Sequence, residues 1–403
     1  MRLFFGLNKI LLLSFLNYIG RLLPRDNKIW LYGGGSDRFV DNSKYLFIGL
    51  SESCTNISHI WLTNSAEDMF FLRSKGFQCH RKRSLKGIYY VLRAKVYIYS
   101  CYPGDIASFA YSGGAFLFNL WHGIPLKKIE YDIKVGPLKK IFHPKDISEV
   151  LDVYSTQPAF FRKSSSVLCP KESFIEIFKS AFLLEGPDVC LAQYPRTAPF
   201  FWNESKLMAH IEKYEPSDMK PFVNRCKRFE RVWIYMPTWR DANPDFIDEA
   251  FPDFNELDEV CRKQNILFLL KLHIATNMNF DENKWTNIVF VPNHFDVYPL
   301  LPFTTTLLTD YSSVFLDYQL LNKEIVFYPF DLSDYLSKSR EMYFEYEELA
   351  IGEKVYSFSG LINFLDTDCK IGPKDSRSFE KDTYSNENAK ISSFIKEKIG
   401  IFE

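Results

Sequence analysis

The 403-residue chain has almost no net charge: 49 Lys and Arg against 50 Asp and Glu leave −1 at pH 7. That balance excludes a partner chosen by bulk positive charge, and nucleic acid is not expected. No CxxC pair occurs among the eight cysteines, at 54, 79, 101, 169, 190, 226, 261 and 369. Neither a zinc ribbon nor a dense disulfide framework is therefore expected, and a reducing cytoplasm fits. There is no short-period repeat or low-complexity tract, no spaced GxGxxG and no Walker lysine. The longest apolar stretch, "MRLFFGLNKILLLSFLNYIGRLLP" (1–24), is interrupted at Asn8 and Lys9, short of the roughly 20 predominantly apolar residues of a membrane span. No small-residue cleavage site follows Leu23.

What is present is a folded composition, 46% apolar with 38 Phe and 23 Tyr, and enough length for two domains, each with its own core. At 100° per residue, Arg2, Lys9, Ser14, Asn17 and Arg21 share one sector of the N-terminal segment, with Phe4, Leu11, Leu12, Phe15, Ile19 and Leu22 opposite. That pattern fits an interfacial amphipathic helix, or a first helix packed on its domain, ended by Pro24. The basic run "HRKRSLKG" (80–87) reads as a solvated or membrane-facing loop.

Beyond Pro24, short apolar runs alternate with segments of helical spacing. "KIWLY", "HIWLTN" (59–64), "KVYIYSCY" (95–102), "AFLFNLW" (115–121) and "LDVYSTQ" (151–157) read as strands. A polar helical stretch near 202–230 leads to a second series that includes "RVWIYMPTW", "NILFLLKLH", "TTLLTDYSS" and "EIVFYPFDL". The expected fold is α/β, two Rossmann-like doubly wound domains facing a cleft. The expected division is a membrane-associating helix over 1–23, an acceptor-binding domain over 24–225, a nucleotide-donor domain over 226–375, and a linker and helix over 376–403. Gly33, Gly34 and Gly35 are read as a close-approach turn rather than a phosphate cradle.

Polar residues gather where these strands end. "AFLFNL" ends in Trp121, His122 and Gly123; "WIYM" in Pro237, Thr238, Trp239, Arg240 and Asp241; "FLLKL" in His273; "TTLLT" in Asp310, Tyr311, Ser312 and Ser313. His122, with an unperturbed imidazole value near 6.5, suits a general base. Ser312 and Ser313 open a helix and serve as phosphate contacts, N-caps or both. Lys271 and His273, two apart on a strand end, share a face and could share diphosphate charge. Arg240 is a further charge candidate, or is paired with Asp241. Lys127, Lys128, Lys134, Lys139 and Lys140 form either a cationic strip for an anionic acceptor or lipid, or a solvated loop.

These motifs together resemble the CDP-glycerol glycerophosphotransferase family of teichoic-acid and capsule polymer synthesis. The resemblance spans about 95–350 and is carried by "LWHGIPLKK", "YPR" (194–196), "YMPTWRD" (235–241), "LLKLH" (269–273), "LLTDYSSVFLDYQLLNKEIVFYPFDLSDY" (307–335) and "REMYFEYEEL" (340–349). It implies a GT-B type fold, a CDP-linked polyol donor in the C-terminal domain, and peripheral association with the cytoplasmic membrane face. It assigns catalysis to His122, as base, and His273. Ser312 and Ser313 contact the donor phosphates, with Asp310, Thr238, Arg240, Lys271 and Arg340 on the donor side and Gly123, Lys127, Lys128 and Arg196 on the acceptor side. The implied partners are CDP-glycerol and a polyol-phosphate or glycan acceptor, lipid-linked or not. No cofactor or metal is required by these residues, with Asp310 leaving a divalent ion open. The sequence departs from the family pattern in three places: Ile274 where Pro is usual, Gln193 where Gly is common, and the pair Thr197 and Ala198 where an Asp often follows "PR". The alternatives are a CDP-ribitol donor, a nucleotide-sugar glycosyltransferase of the same architecture, or a catalytically silent membrane scaffold.

Overall fold

A computed structural model describes residues 2–161, 163–238, 240, 246–272, 284–332, 335, 341–367 and 386–401, without the side chains of 2–5, 159, 161 and 349. The chain divides into two compact units. One comprises Met1–Ile124, Lys128–Ala198 and Asp382–Glu403; the other comprises Pro125–Lys127 and Pro199–Lys381. Each is built on a parallel sheet.

The first sheet has seven strands: β1 (Asp26–Gly33), β2 (Ser58–Thr63), β3 (Gln78–Arg81), β4 (Ala94–Tyr99), β5 (Phe116–Asn119), β6 (Ser166–Cys169) and β7 (Val189–Leu191), in the order β3-β2-β1-β4-β5-β6-β7. The second has β8 (Arg231–Tyr235), β9 (Ile266–Leu270), β10 (Ile288–Phe290), β11 (Thr306–Thr309), β12 (Glu324–Phe327) and β13 (Glu353–Lys354), ordered β10-β9-β8-β11-β12-β13. Strands in a parallel sheet are covered on both faces and so read as continuous apolar runs. Trp30, Leu31 and Tyr32 of β1 and every residue of β9 are buried. Parallel neighbours need crossovers, and helices supply them: α1 (Arg2–Leu22) precedes β1, and α2 (Asp41–Ser53), α3 (Ala66–Ser74) and α4 (Leu85–Arg93) follow β1, β2 and β3. Ser65 and Ser84 cap α3 and α4 by accepting from Asp68 and Gly87 N–H.

Three expectations change. The run at 151–157 is not a strand but part of a helix, Ile147–Thr156, capped by Asp146, which accepts from Glu149 N–H at 2.9 Å. Only Val153 of that helix is buried, so its apolar residues follow a helical period that a short window reads as a strand. The second unit begins at Pro199, not 226, and takes in the helices Glu204–Tyr214 and Met219–Cys226. The last helix, Glu387–Lys398, is no appendage but part of the first unit. Glu387 is buried and accepts from Gln193 N–H at 2.7 Å, and Lys398 pairs with Asp188 at 2.8 Å. The linker expected from 376 lies outside the described residues as far as 385.

Helix α1 docks on the first unit by its small, polar side. Gly6, Asn17 and Gly20, at i, i+11 and i+14, share one face and are buried, while Leu7, Leu11, Leu12, Phe15, Tyr18, Ile19 and Leu22 are exposed. Gly6 lies against Leu151 and Ser155, Asn17 Nδ2 donates to the Phe109 carbonyl at 2.7 Å, and Lys9 Nζ donates to the Ser155 carbonyl at 2.5 Å. Gly113 lets the backbones meet, since a Cβ there would fall 1.9 Å from the Asn17 carbonyl oxygen. Gly113→Val should cost roughly 1–3 kcal/mol, concentrated in the α1 contact. Limited proteolysis should then cut within the first 24 residues faster than in the parent chain, and an unchanged cleavage rate would contradict this packing.

Candidate active site

In an open parallel sheet, ligands bind at the carboxyl ends of the strands where the order reverses. The first sheet reverses between β1 and β4, the second between β8 and β11. The loops leaving these strands and their neighbours carry most of the residues singled out in the sequence.

In the first unit, β1 runs into Gly33 and Gly34, where added Cβ atoms would meet the Asp105 carbonyl oxygen at 2.1 Å and the Arg38 carbonyl oxygen at 2.0 Å. The close-approach reading of these glycines agrees with that packing. Next to β4, β5 ends in Trp121, His122 and Gly123, with φ of +53° at Trp121 and +146° at Gly123. A tryptophan in the left-handed region is strained and persists only where its surroundings fix it. Three hydrogen bonds do so. Trp121 N–H donates to Asn119 Oδ1 at 2.8 Å, Asn42 Nδ2 to the Trp121 carbonyl at 2.8 Å, and Arg196 Nη1 to the His122 carbonyl at 2.8 Å. Arg196 N–H in turn holds Asn42 Oδ1 at 3.2 Å, and its guanidinium pairs with Asp41 at 3.0 Å.

The turn is buried at Trp121 and exposed at His122. The His122 ring lies 4.2 Å from the Trp121 ring, and its Nδ1 is 3.3 Å from the Ser100 carbonyl oxygen. A ring nitrogen facing a carbonyl carries the proton, which puts the basic lone pair on Nε2. Cys101 Sγ is 3.6 Å from Nδ1, and burial, first, and the Asp105 carboxylate push its thiol well above the ordinary value. Asp105 Oδ2 accepts from the N–H groups of Cys101 at 3.0 Å and Tyr102 at 3.4 Å.

In the second unit the switch point is closed by charge. Asp310, at the end of β11, is fully buried. Its Oδ1 accepts from Thr238 N–H at 2.8 Å and Tyr311 N–H at 2.5 Å, and its Oδ2 lies 2.7 Å from Arg240 Nη1. Arg240 also holds Asp331 through Nε at 2.7 Å and Nη2 at 2.8 Å, and donates to the Thr238 carbonyl at 2.6 Å. Burial opposes its charge, but Asp310 and Asp331 outweigh that, so its proton is held more tightly than in a free arginine. Phe246, Tyr311, Phe330 and Tyr335 surround the guanidinium, and Tyr335 stacks on Tyr311 at 3.8 Å. Lys127, expected on the acceptor side, is grouped with the second unit, its Nζ 4.7 Å from the Tyr335 ring.

Arg240 was expected among the donor-side residues, and its donors are committed to two carboxylates and a carbonyl. Lys271 was expected at the diphosphate, and its Nζ donates to the carbonyls of Pro292 at 2.8 Å and Phe295 at 3.1 Å. Ser312 and Ser313 are half-buried; Ser313 is the N-cap of the helix Val314–Tyr318 and makes no side-chain capping bond. Lys128 is half-buried. His273, Arg340, Trp239, Asp241 and Ile274 lie outside the described residues. Sequence reading missed Asp41, Asn42, Asn119 and Asp331; only Asp331 had a signal, its place inside the "YPFDLSDY" motif. Among the described residues, no three His, Cys, Asp or Glu side chains gather in a way that could hold a metal ion.

Two doubly wound parallel sheets with polar loops at their switch points define a two-domain Rossmann-like fold of the GT-B type. The solved structure of the wall teichoic acid polymerase TagF shares that fold, with a TM-score of 0.70 at 19% identity over 99% of this chain and 97% of that one. The chain belongs to the CDP-glycerol:poly(glycerophosphate) glycerophosphotransferase family, whose pattern matches residues 15–399. It is 26% identical over 352 residues to the teichoic acid glycerol-phosphate transferase of Staphylococcus aureus, covering 85% of this chain and 84% of that one. It is 29% identical over 217 residues to the teichoic acid ribitol-phosphate polymerase TarL of the same organism, covering 53% of this chain and 37% of that one. The chain spans 37%, 40% and 42% of three longer polymerases it matches, so the match does not carry over what those proteins do as wholes.

Two outcomes follow from the charges. Arg240→Met would leave the fully buried Asp310 and the partly buried Asp331 without their cation, and should cost about 3–5 kcal/mol, read by denaturant unfolding of the full chain. Arg240→Lys should recover only part of this, because an ammonium cannot bind two oxygens side by side. Burial pushes Asp105 up to about 6, above its unfolded value of about 3.9. The raised carboxyl favours the folded state fully below that unfolded value, and this contribution is lost as pH rises through 6. Stability should therefore fall between pH 4 and 6 by at most about 3 kcal/mol more than in Asp105→Asn; parallel pH profiles would refute the assignment.

Proposed function

We infer that this chain transfers glycerol phosphate from CDP-glycerol to a hydroxyl of a saccharide or polyol-phosphate acceptor, with release of CMP, in teichoic-acid or capsule polymer synthesis. The acceptor oxygen bonds to the β-phosphorus, the bond from that phosphorus to the bridging oxygen breaks, and CMP departs with the bridging oxygen. His122 takes the acceptor proton at Nε2 as the new bond forms. Phosphoryl transfer depends mainly on positioning and charge stabilisation. His273, Ser312 and Ser313 contact the donor phosphates, with Thr238, Lys271 and Arg340 on the same side. Arg240 and Asp310 support the loop that carries the serines. Gly123, Lys127, Lys128 and Arg196 belong to the acceptor side, with Arg196 acting through the His122 carbonyl it holds.

The observation that carries this reading is the strained turn, anchored by three hydrogen bonds, that presents an exposed histidine with its Nδ1 facing the Ser100 carbonyl. A merely structural histidine needs no such anchoring. The match to a ribitol-phosphate polymerase favours CDP-ribitol as a second donor to test. The site of action is the cytoplasmic membrane face, with a lipid-linked acceptor. No helix among the described residues is long and apolar enough to cross a membrane, and the outward apolar side of α1 supports peripheral attachment.

The purified chain, given radiolabelled CDP-glycerol or CDP-ribitol and a defined acceptor, should release CMP and form a phosphodiester product detectable by mass. His122→Ala should lower that rate about 10²–10⁴-fold with an unchanged far-ultraviolet circular dichroism spectrum. Full activity in the variant would remove His122 from catalysis, and nucleotide release from a UDP-sugar alone would replace the reading with a glycosyltransferase.

A further inference from the structure

Helix α4 repeats, on a smaller scale, the inversion found in α1. Gly87 and Val91 are buried against the first sheet, while Leu85, Ile88 and Tyr89 are exposed and Leu92 is half-exposed. Residues 85, 88, 89 and 92 fall at i, i+3, i+4 and i+7, one continuous outward stripe. Leu85 is 89% exposed, an unusual fate for a leucine beginning a helix whose inner side is already packed.

The stripe is rimmed by cations. Arg81 ends β3, and Arg83 and Lys86 lie at the start of α4; all three are exposed. No carboxylate pairs with them among the described residues. Lys82, between them, is spoken for by Asp37 at 2.6 Å. The two helices are tied at one end: Arg25, just past α1, donates to the carbonyls of Val91 at 3.0 Å and Ala94 at 2.7 Å, and Arg93 donates to the Pro24 carbonyl at 2.7 Å. On α1 itself the described cations are Lys9, which donates to the Ser155 carbonyl, and the exposed Arg21.

We propose that α4 and the 81–86 loop form a second foot on the bilayer, one that reads anionic lipid headgroups while α1 supplies apolar insertion. The proposal rests on the membrane part of the function inferred above and not on the identity of the donor. The occupant is set by charge complementarity. An apolar row that sinks to the level of the acyl chains, flanked by three unpaired cations at headgroup height, matches a surface carrying phosphodiester anions. A protein partner would need a shaped counterface, whereas an exposed convex row on a short helix suits a deformable surface.

The test is co-sedimentation of the full chain with vesicles of phosphatidylcholine alone and of phosphatidylcholine mixed equally with phosphatidylglycerol. The parent chain should bind the mixed vesicles more tightly, and the difference should shrink as salt is raised. Arg81→Gln, Arg83→Gln and Lys86→Gln together should weaken binding to the mixed vesicles by about fivefold per cation removed, on the order of a hundredfold in all, and leave binding to phosphatidylcholine unchanged. Leu85→Ser with Ile88→Ser and Tyr89→Ser should weaken binding to both, as should Leu11→Ser with Phe15→Ser in α1.

If the glutamine variant keeps the whole preference for anionic vesicles, the proposal is overturned. It is overturned equally if the serine variant of α4 turns a dimer into a monomer with vesicle binding intact, which would make the stripe a contact with a second copy. Binding of soluble poly(glycerol phosphate) through the same cations, with none to vesicles, would assign the patch to a free polymer instead. CMP release with a soluble acceptor, measured on every variant, keeps failure of the membrane foot distinct from failure of the transferase reading.

Discussion

Parallel strand pairing is the constraint from which the rest follows. Each parallel strand must be reached by a crossover, so all strands of a sheet release their chain at the same edge. In this molecule that edge carries Gly33, Cys101 and His122 in one unit, and Thr238 and Asp310 in the other. Helices pack on both faces of the sheet and leave the reversal of strand order as the natural opening. The chemistry-bearing residues need not be near one another in sequence. They need only follow β1, β4 and β5, or β8 and β11.

The two switch points manage charge in opposite ways. At the first, the histidine side chain stays exposed and the protein spends its buried hydrogen bonds on the backbone around it, through Asn42, Asn119 and Arg196. The ring stays open to solvent while its position is fixed. At the second, an arginine is taken inside. A buried guanidinium is tolerable only when its donors are satisfied and its charge is matched, and Asp310 and Asp331 do both. The carboxylates also tie the loop after β11 to the loop after β12, so the pair fixes how the segment carrying Ser312 and Ser313 leaves the sheet.

This difference explains what could be read from the sequence. The long strands were legible because burial on both faces makes them uniformly apolar, and the polar residues at their ends stood out by contrast. His122, Asp310 and Arg240 were found that way. Their partners were not. Asn42 is 79 residues from the carbonyl it holds and Asp331 is 91 residues from Arg240, and nothing local marks a carboxylate as the one that will meet a distant cation. Arg240 was visible as a charge at a strand end, but whether it faces a ligand or the interior depends on that distant pairing. The helix at 147–156 shows the same limit at smaller scale, since a few apolar residues fit either period until a cap is recognised.

Helix α1 carries the argument one step further. Periodicity revealed two faces and left open whether the helix lies in an interface or packs on its domain, where the usual outcome is burial of the apolar side. Here the docking surface is made of backbone: Gly6, Gly20 and Gly113 let chains approach until Asn17 and Lys9 reach main-chain carbonyls. Close backbone contact with satisfied hydrogen bonds can seat a helix without consuming its hydrophobic residues. Those residues then remain outside, as a continuous apolar surface of the kind that marks an interaction site. The same economy holds in α4, where Gly87 sits against the Arg81 and Lys82 carbonyls and the larger side chains face away. Glycine on the inner side is thus the sequence feature that decides which face of an amphipathic helix is turned outward.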